Sequence, residues 1–172
     1  NGHPTTIAWE PGLGEGEHTF SVQAVDGSGN ESAVRTHTWT VDLTPPQTTI
    51  SAGPSGFVNA TSADFDLSSN EDGTFECNLD GEGYEDCASP VIYPEAGGPE
   101  LAEGTHTLNV RATDVAGNVD PTPASSTWTV DTTPPDTVLT ETPDPFTSSQ
   151  DARFRFDSTE TLYCRLTKKA LF

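Results

Sequence analysis

One run of residues occurs twice in this 172-residue chain, and part of a third copy follows. His18-Thr-Phe-Ser-Val-Gln-Ala-Val-Asp-Gly-Ser-Gly-Asn30 returns as His106-Thr-Leu-Asn-Val-Arg-Ala-Thr-Asp-Val-Ala-Gly-Asn118. Thr38-Trp-Thr-Val-Asp-Leu-Thr-Pro-Pro46 returns as Thr127-Trp-Thr-Val-Asp-Thr-Thr-Pro-Pro135, and Ala63-Asp-Phe-Asp-Leu67 is echoed by Ala152-Arg-Phe-Arg-Phe156. Trp39 to Trp128 and Phe65 to Phe154 are both steps of 89 positions. Self-similarity at a fixed spacing marks an array of equivalent units. A step of that size is too long for a solenoid repeat and suits a whole small β-domain.

Inside each copy the apolar residues alternate. Phe20, Val22 and Ala24 share one face, as do Leu108, Val110 and Ala112, and Trp39 with Val41 repeats as Trp128 with Val130. Period two is the mark of strands with one buried face. Gly, Pro, Asn and Asp clusters fall between them at hairpin spacing. The pattern predicts strands near 48–51, 62–68, 74–79, 84–88, 90–93, 104–114 and 125–131, packed as two antiparallel sheets.

The Thr-Pro-Pro segments set the expected boundaries: 1–43 as the C-terminal half of a domain, a linker at 44–47, a complete domain at 48–131, a linker at 132–136, and the N-terminal half of a further domain at 137–172. Two successive prolines favour a stiff, extended connection, so the domains are expected to follow end to end as a rod. The two terminal halves add up to nearly one domain. They are either the ends of a segment cut from a longer array, or surfaces that meet head to tail between copies, since an open half-sandwich exposes strand edges and apolar surface.

The charge narrows the partners. The chain carries 27 acidic and 7 basic residues, for a net charge of −20. The first 138 residues contain only Arg35 and Arg111 as bases, whereas 139–172 hold five acids and five bases. Nucleic acid requires a basic face, so it is excluded as a partner. No apolar stretch reaches the length of a membrane span, so this segment is not expected to insert. The expected partners are neighbouring repeats or other copies of the chain.

Leu-x-Glu-Gly-x-His-Thr-[Phe/Leu]-x-Val-x-Ala-x-Asp-x-x-Gly-Asn, followed by Thr-Trp-Thr-Val-Asp-x-Thr-Pro-Pro, resembles the tandem bacterial Ig-like repeats of large surface and secreted proteins. Phe75-x-Cys-x-Leu-Asp-Gly-x-x-Tyr84 with Cys87 is similar to the first-half signature of those repeats. The likeness extends loosely to fibronectin type III domains, where a Tyr stands in place of His18 and His106. Thr167-Lys-Lys-Ala170 departs from the pattern. The resemblance implies an all-β fold of tandem Ig-like antiparallel sandwiches, an extracellular or cell-surface location, and a stalk, fibre or adhesin role.

Several residues invite chemistry. Cys77 and Cys87 bracket a turn and are expected to pair as a disulfide in an oxidising compartment, since zinc would need further Cys or His nearby. Cys164 aligns with Cys77 and is expected as a free thiol or an intermolecular crosslink. His18 and His106 read as catalytic or ligand residues, or as rings bonding a nearby backbone group. Trp39 and Trp128 read as core rings, with sugar-stacking platforms as the alternative. Trp9 and Tyr93 are less constrained.

Asp26 with Asn30, and Asp114 with Asn118, either close their turns through backbone amides or bind calcium, a hard cation that takes several oxygen ligands. An interdomain calcium site would join Asp42 or Asp131 to Glu71, Asp72 or Glu160. No cofactor is required otherwise. A Lys–Asn crosslink is excluded from 48–131, which contains no Lys. Asn30-Glu-Ser and Asn59-Ala-Thr are formal glycosylation sequons.

Neither a His-Glu-x-x-His run, a phosphate-binding Gly loop, nor a Ser-His-Asp or Cys–His arrangement occurs, so no enzyme is expected. The leading expectation is a non-catalytic structural stalk or fibre module. The alternative is a glycan- or protein-binding Ig-like module, calcium-stabilised or not.

Overall fold

The computed structural model describes residues 6–8, 12–158 and 160–167. The described residues form twelve strands and no helix. They divide into two compact units, Asn1–Asp131 and Thr132–Phe172.

The first unit opens with a hairpin of β1 (Gly16–Val22) and β2 (Arg35–Val41), in which His18 lies opposite Trp39 and Phe20 opposite His37. Eight strands follow: β3 (Thr48–Ala52), β4 (Gly56–Val58), β5 (Ala63–Ser69), β6 (Gly73–Leu79), β7 (Glu85–Cys87), β8 (Val91–Tyr93), β9 (Gly104–Asp114) and β10 (Ala124–Val130). They form two sheets, β3-β5-β8 and β4-β10-β9-β6-β7. This division of strands is that of an Ig-like sandwich. Seven of the eight lie where the alternation places them. The eighth, β4, pairs with β10 in parallel through backbone bonds alone. Its Phe57 is 81% exposed, so no apolar periodicity announces it.

The core explains the alternation. β9 buries His106, Leu108, Val110, Ala112 and Asp114 on one face, and β10 buries Trp128 and Val130. From the opposite sheet β5 contributes Ala63, Phe65 and Leu67, and β8 contributes Val91. Phe65 packs on Trp128 with ring centroids 5.1 Å apart, tilted at 59°. Edge-inclined aromatic pairs of this kind add to the stabilisation from buried area. The Cys77–Cys87 disulfide joins β6 to its edge neighbour β7. Because it closes a short loop, its contribution is about 2–3 kcal/mol.

The hairpin repeats the β9–β10 pair in detail. His106 faces Trp128 as His18 faces Trp39. His18 Nε2 lies 2.7 Å from Gly14 O, and His106 Nε2 lies 2.8 Å from Ala102 O. The two differ in cover. Leu108 and Val110 are wholly buried, whereas Val22, the counterpart of Val110, is 50% exposed.

In the second unit β11 (Val138–Glu141) pairs antiparallel with β12 (Arg155–Asp157). Leu139 lies opposite Phe156 as Ile50 lies opposite Leu67, and both pairs carry a register shift at the next step. This is the sequence echo of Ala63–Leu67 written in backbone geometry. Cys164 in this unit is a free, exposed thiol.

Candidate metal centre

Three segments of the first unit meet where β2 runs into the sandwich. The first is Asp42, directly after β2. The second is the β5–β6 turn at residues 70–72, and the third is the loop from Asp114 to Asn118 between β9 and β10.

Strand period places the Asp114 carboxylate. It follows His106, Leu108, Val110 and Ala112 on the buried face, and its residue is 8% exposed. Its Oδ1 accepts from the Asn118 amide at 2.8 Å, and its Oδ2 accepts from Asn118 Nδ2 at 2.8 Å. Gly117, at φ +96°, closes the loop in a conformation that side-chain-bearing residues rarely adopt. Burial pushes the Asp114 pKa up, but the hydrogen bonds from Asn118, Gly117 and Ala116 outweigh it and hold the carboxyl below its ordinary value. The hairpin contains the same loop in exposed form. Asp26 Oδ1 accepts from the Asn30 amide at 2.9 Å and Oδ2 from Asn30 Nδ2 at 2.8 Å, and these bonds lower the Asp26 pKa.

The Asn118 side chain reaches further than Asn30 does. Its Nδ2 also donates to the Asp42 carbonyl at 3.0 Å, tying the β9–β10 loop to the end of the hairpin. The chain beyond Asp42 is held at Thr44, Pro46 and Gln47. The Thr44 amide donates to Asp42 Oδ1 at 3.1 Å, and Thr44 Oγ1 donates to Glu15 Oε1 at 2.8 Å. Pro46 is fully buried. The Gln47 amide donates to Asn70 Oδ1 at 2.6 Å, and the Asn70 amide to Gln47 O at 3.3 Å. Asp120, 2% exposed, accepts from the Thr48 amide at 2.8 Å and from both the amide and hydroxyl of Thr122.

Glu71 enters from the β5–β6 turn. Gly73 allows that turn to press against β9, because a Cβ there would strike the Thr113 carbonyl oxygen. Carboxylate oxygens of Asp42, Glu71 and Asp114 thereby all lie within 4.8 Å of one another. Asp42 and Glu71 are half-buried. The donors are hard oxygens without sulfur or imidazole, a set suited to calcium or magnesium rather than zinc.

The remaining sequence candidates lie elsewhere. Asp131 is exposed after β10, its amide donating to Val58 O at 2.8 Å. Asp72 is exposed, and Glu160 is exposed in the second unit. Trp9, Lys168 and Lys169 lie outside the described residues. Trp128 is buried, with its Nε1 lacking a hydrogen-bond partner among the described residues, while Trp39 is half-buried. His106 has both ring nitrogens engaged, Nε2 with Ala102 O and Nδ1 with Asp80 Oδ2 at 2.7 Å. Burial pushes its pKa down, but the Ala102 carbonyl and the Asp80 carboxylate reverse this and raise it above its ordinary value. Asn70, Asp80, Asp120 and Glu15 were not singled out by sequence. Their partners are distant in the chain or are backbone atoms, which leave no spacing signal.

No protein-family model matches this chain. No curated protein sequence matches it. Among solved structures, the chain is similar to the fibronectin(III)-like modules of CbhA from Clostridium thermocellum, at 20% identity and a TM-score of 0.35. The match covers 49% of this chain and 95% of that one.

Proposed function

We propose that this chain is a non-catalytic spacer segment of an extracellular, bacterial surface array of Ig-like domains, and that its residues 1–43 and 137–172 are halves of such domains. The observation that carries this reading is the joint between hairpin and sandwich. Residues 42–47 are fixed by the side chains of Glu15, Asn70 and Asn118, from three separate loops, and by the burial of Pro46. A flexible tether would need none of these, whereas a spacer that holds its cargo at a set distance needs all of them. The histidines that could have served chemistry have ring nitrogens committed to Gly14, Ala102 and Asp80.

In this reading calcium binds across the joint through Asp42, Glu71 and Asp114, with water completing a shell of six to eight oxygens. The ion would relieve repulsion among three converging carboxylates and clamp hairpin to sandwich. Calorimetric titration with Ca²⁺ tests it. One saturable site is expected on the whole chain, and its loss is expected in Asp42→Asn and Glu71→Gln but not in Asp26→Asn. Equal heats from all four proteins would reject the site.

A further inference from the structure

The single histidine of residues 48–131 is buried, and each of its ring nitrogens faces an atom that can only accept a hydrogen bond. His106 Nδ1 lies 2.7 Å from Asp80 Oδ2, and Nε2 lies 2.8 Å from Ala102 O. A neutral imidazole has one N–H, so one of these contacts would set lone pair against lone pair. The imidazolium has two and satisfies both. The site thus fits the charged ring, with the Asp80 carboxylate as its counter-charge.

The same carboxylate fastens the β6–β7 turn to β9. Asp80 Oδ1 accepts from the Thr107 amide at 2.8 Å, and the Asp80 amide donates to Thr107 O at 2.9 Å. Asp80 sits at φ +53°, the one non-glycine residue in the left-handed region among the described residues. Such a conformation persists where surrounding contacts enforce it. Two further bonds are internal to the turn: the Glu82 amide donates to Leu79 O at 3.1 Å and the Gly83 amide to Asn78 Oδ1 at 3.4 Å. At the base of the turn, the Cys77–Cys87 disulfide and the pairing of Cys77 with Glu85 hold β7 on β6. Water reaches the ion pair, because the Asp80 side chain is 38% exposed.

We infer that the His106–Asp80 pair is a pH-operated latch: the charged ring holds the turn at residues 80–84 closed on β9, and loss of its proton frees that turn while the disulfide and the core keep the rest of the sandwich in place. The proton leaves Nδ1 for water, since Nε2–H stays bonded to the Ala102 carbonyl. The Nδ1 lone pair then faces the Asp80 carboxylate and repels it. Asp80 is the charged group acting on the ring among the described residues. β10 presents Trp128, its ring centroid 5.5 Å away, and the loop before β9 presents the Ala102 carbonyl, neither of which titrates. Burial lowers the ring's pKa, but the bonds from Ala102 and Asp80 raise it overall, so the latch releases above 6.5. Release leaves the Thr107 amide and carbonyl without their Asp80 partners. The latch goes beyond the spacer reading and does not depend on the calcium site.

NMR of the 172-residue chain from about pH 5 to about pH 9 tests it. The His106 ring is expected to pass from imidazolium to the Nε2–H tautomer with a midpoint above 6.5. Amides of Asp80 and Thr107 are expected to lose protection from hydrogen exchange over the same range, while those of Val110 and Ala112 in β9 keep theirs. The loss is expected to reach about tenfold for each pH unit by which the midpoint exceeds 6.5, so ring and amides check one another. Asp80→Asn keeps an acceptor for the Thr107 amide without the charge. It is expected to lower the midpoint and to make protection of the two amides insensitive to pH, with the β9 core amides verifying the fold. A ring without a midpoint in that range overturns the inference, as does an Asp80→Asn protein with the wild-type pH response. A ring that titrates while the Asp80 and Thr107 amides keep their protection overturns it too. So does protection lost equally along β9, which would signify global unfolding rather than a released turn.

Discussion

Replacing Asn118 by alanine isolates the joint, because the repeat supplies its own control. Asn118 Nδ2 makes two bonds, one to the Asp114 carboxylate at 2.8 Å and one to the Asp42 carbonyl at 3.0 Å. Asn30 Nδ2 makes the carboxylate bond alone in the equivalent loop, at 2.8 Å to Asp26. The bond to a carboxylate contributes roughly 1.5–3 kcal/mol and a neutral amide–carbonyl bond roughly 0.5–1.5 kcal/mol, the lower ends applying to half-exposed groups. The difference between Asn118→Ala and Asn30→Ala is thus about 1 kcal/mol, assigned to the link with Asp42. A free energy of that size changes an opening equilibrium about fivefold. Amide hydrogen exchange reads it directly. The Gln47 amide, bonded to Asn70 Oδ1, reports opening of the joint, and amides of β9 report global unfolding. Asn118→Ala should speed exchange at Gln47 about fivefold more than Asn30→Ala does. Equal effects of the two substitutions at Gln47, or none, would refute the view that Asn118 fastens the hairpin to the sandwich.

Other consequences follow from the core and its charges. Replacing Cys77 and Cys87 together by serine should lower the unfolding free energy of the sandwich by about 2–3 kcal/mol in a denaturant titration, leaving the fold intact. His106 has a folded-state pKa raised above its ordinary 6.5, so its contribution is complete below that value and is lost as pH rises through the folded pKa. Thermal stability should therefore decline as pH rises above 6.5, and Asp80→Asn should flatten that decline. Asp120 behaves oppositely. Although burial raises its pKa, bonds from Thr122 and Thr48 lower it overall, so its contribution is present above 3.8 and lost as pH falls through the folded value. Denaturant titrations at successive pH values, monitored by tryptophan fluorescence, should find Asp120→Asn less stable than wild type above 3.8, with the gap closing as pH falls, because the variant's stability changes less over that range.

Much of this architecture was readable from residue order because it is local. Alternation in 104–114 predicts a strand and its buried face, and that same phase carries Asp114 to the end of the core. The pairing of His18 with Trp39 and His106 with Trp128 follows from two hairpins built on one pattern. Residue order offered Asp42 or Asp131, each beside a Pro-Pro joint, with Glu71, Asp72 or Glu160, and of these Asp42 and Glu71 lie close together. Asp114 was read as closing its own turn or binding calcium within its loop, and its carboxylate lies beside those of Asp42 and Glu71.

What could not be read depends on contacts between distant positions. Asp120 meets Thr48 across 72 residues, Asn70 meets Gln47 across 23, and Asp80 meets His106 across 26. Each is a short polar side chain in a turn-rich stretch, where closing its own turn would have been a sufficient reason for its presence. β4 escaped notice because parallel pairing through three backbone positions asks nothing of the side chains, and Phe57 is left pointing to solvent.

Hairpin and sandwich, fastened through residues 42–47, are expected to move as one body. Residual dipolar couplings of backbone amides measure this without any substitution. A single alignment tensor is expected to fit amides of residues 16–41 and 48–131 together. Two tensors of clearly different magnitude would mean that the hairpin swings on residues 42–47, and the spacer reading would fail.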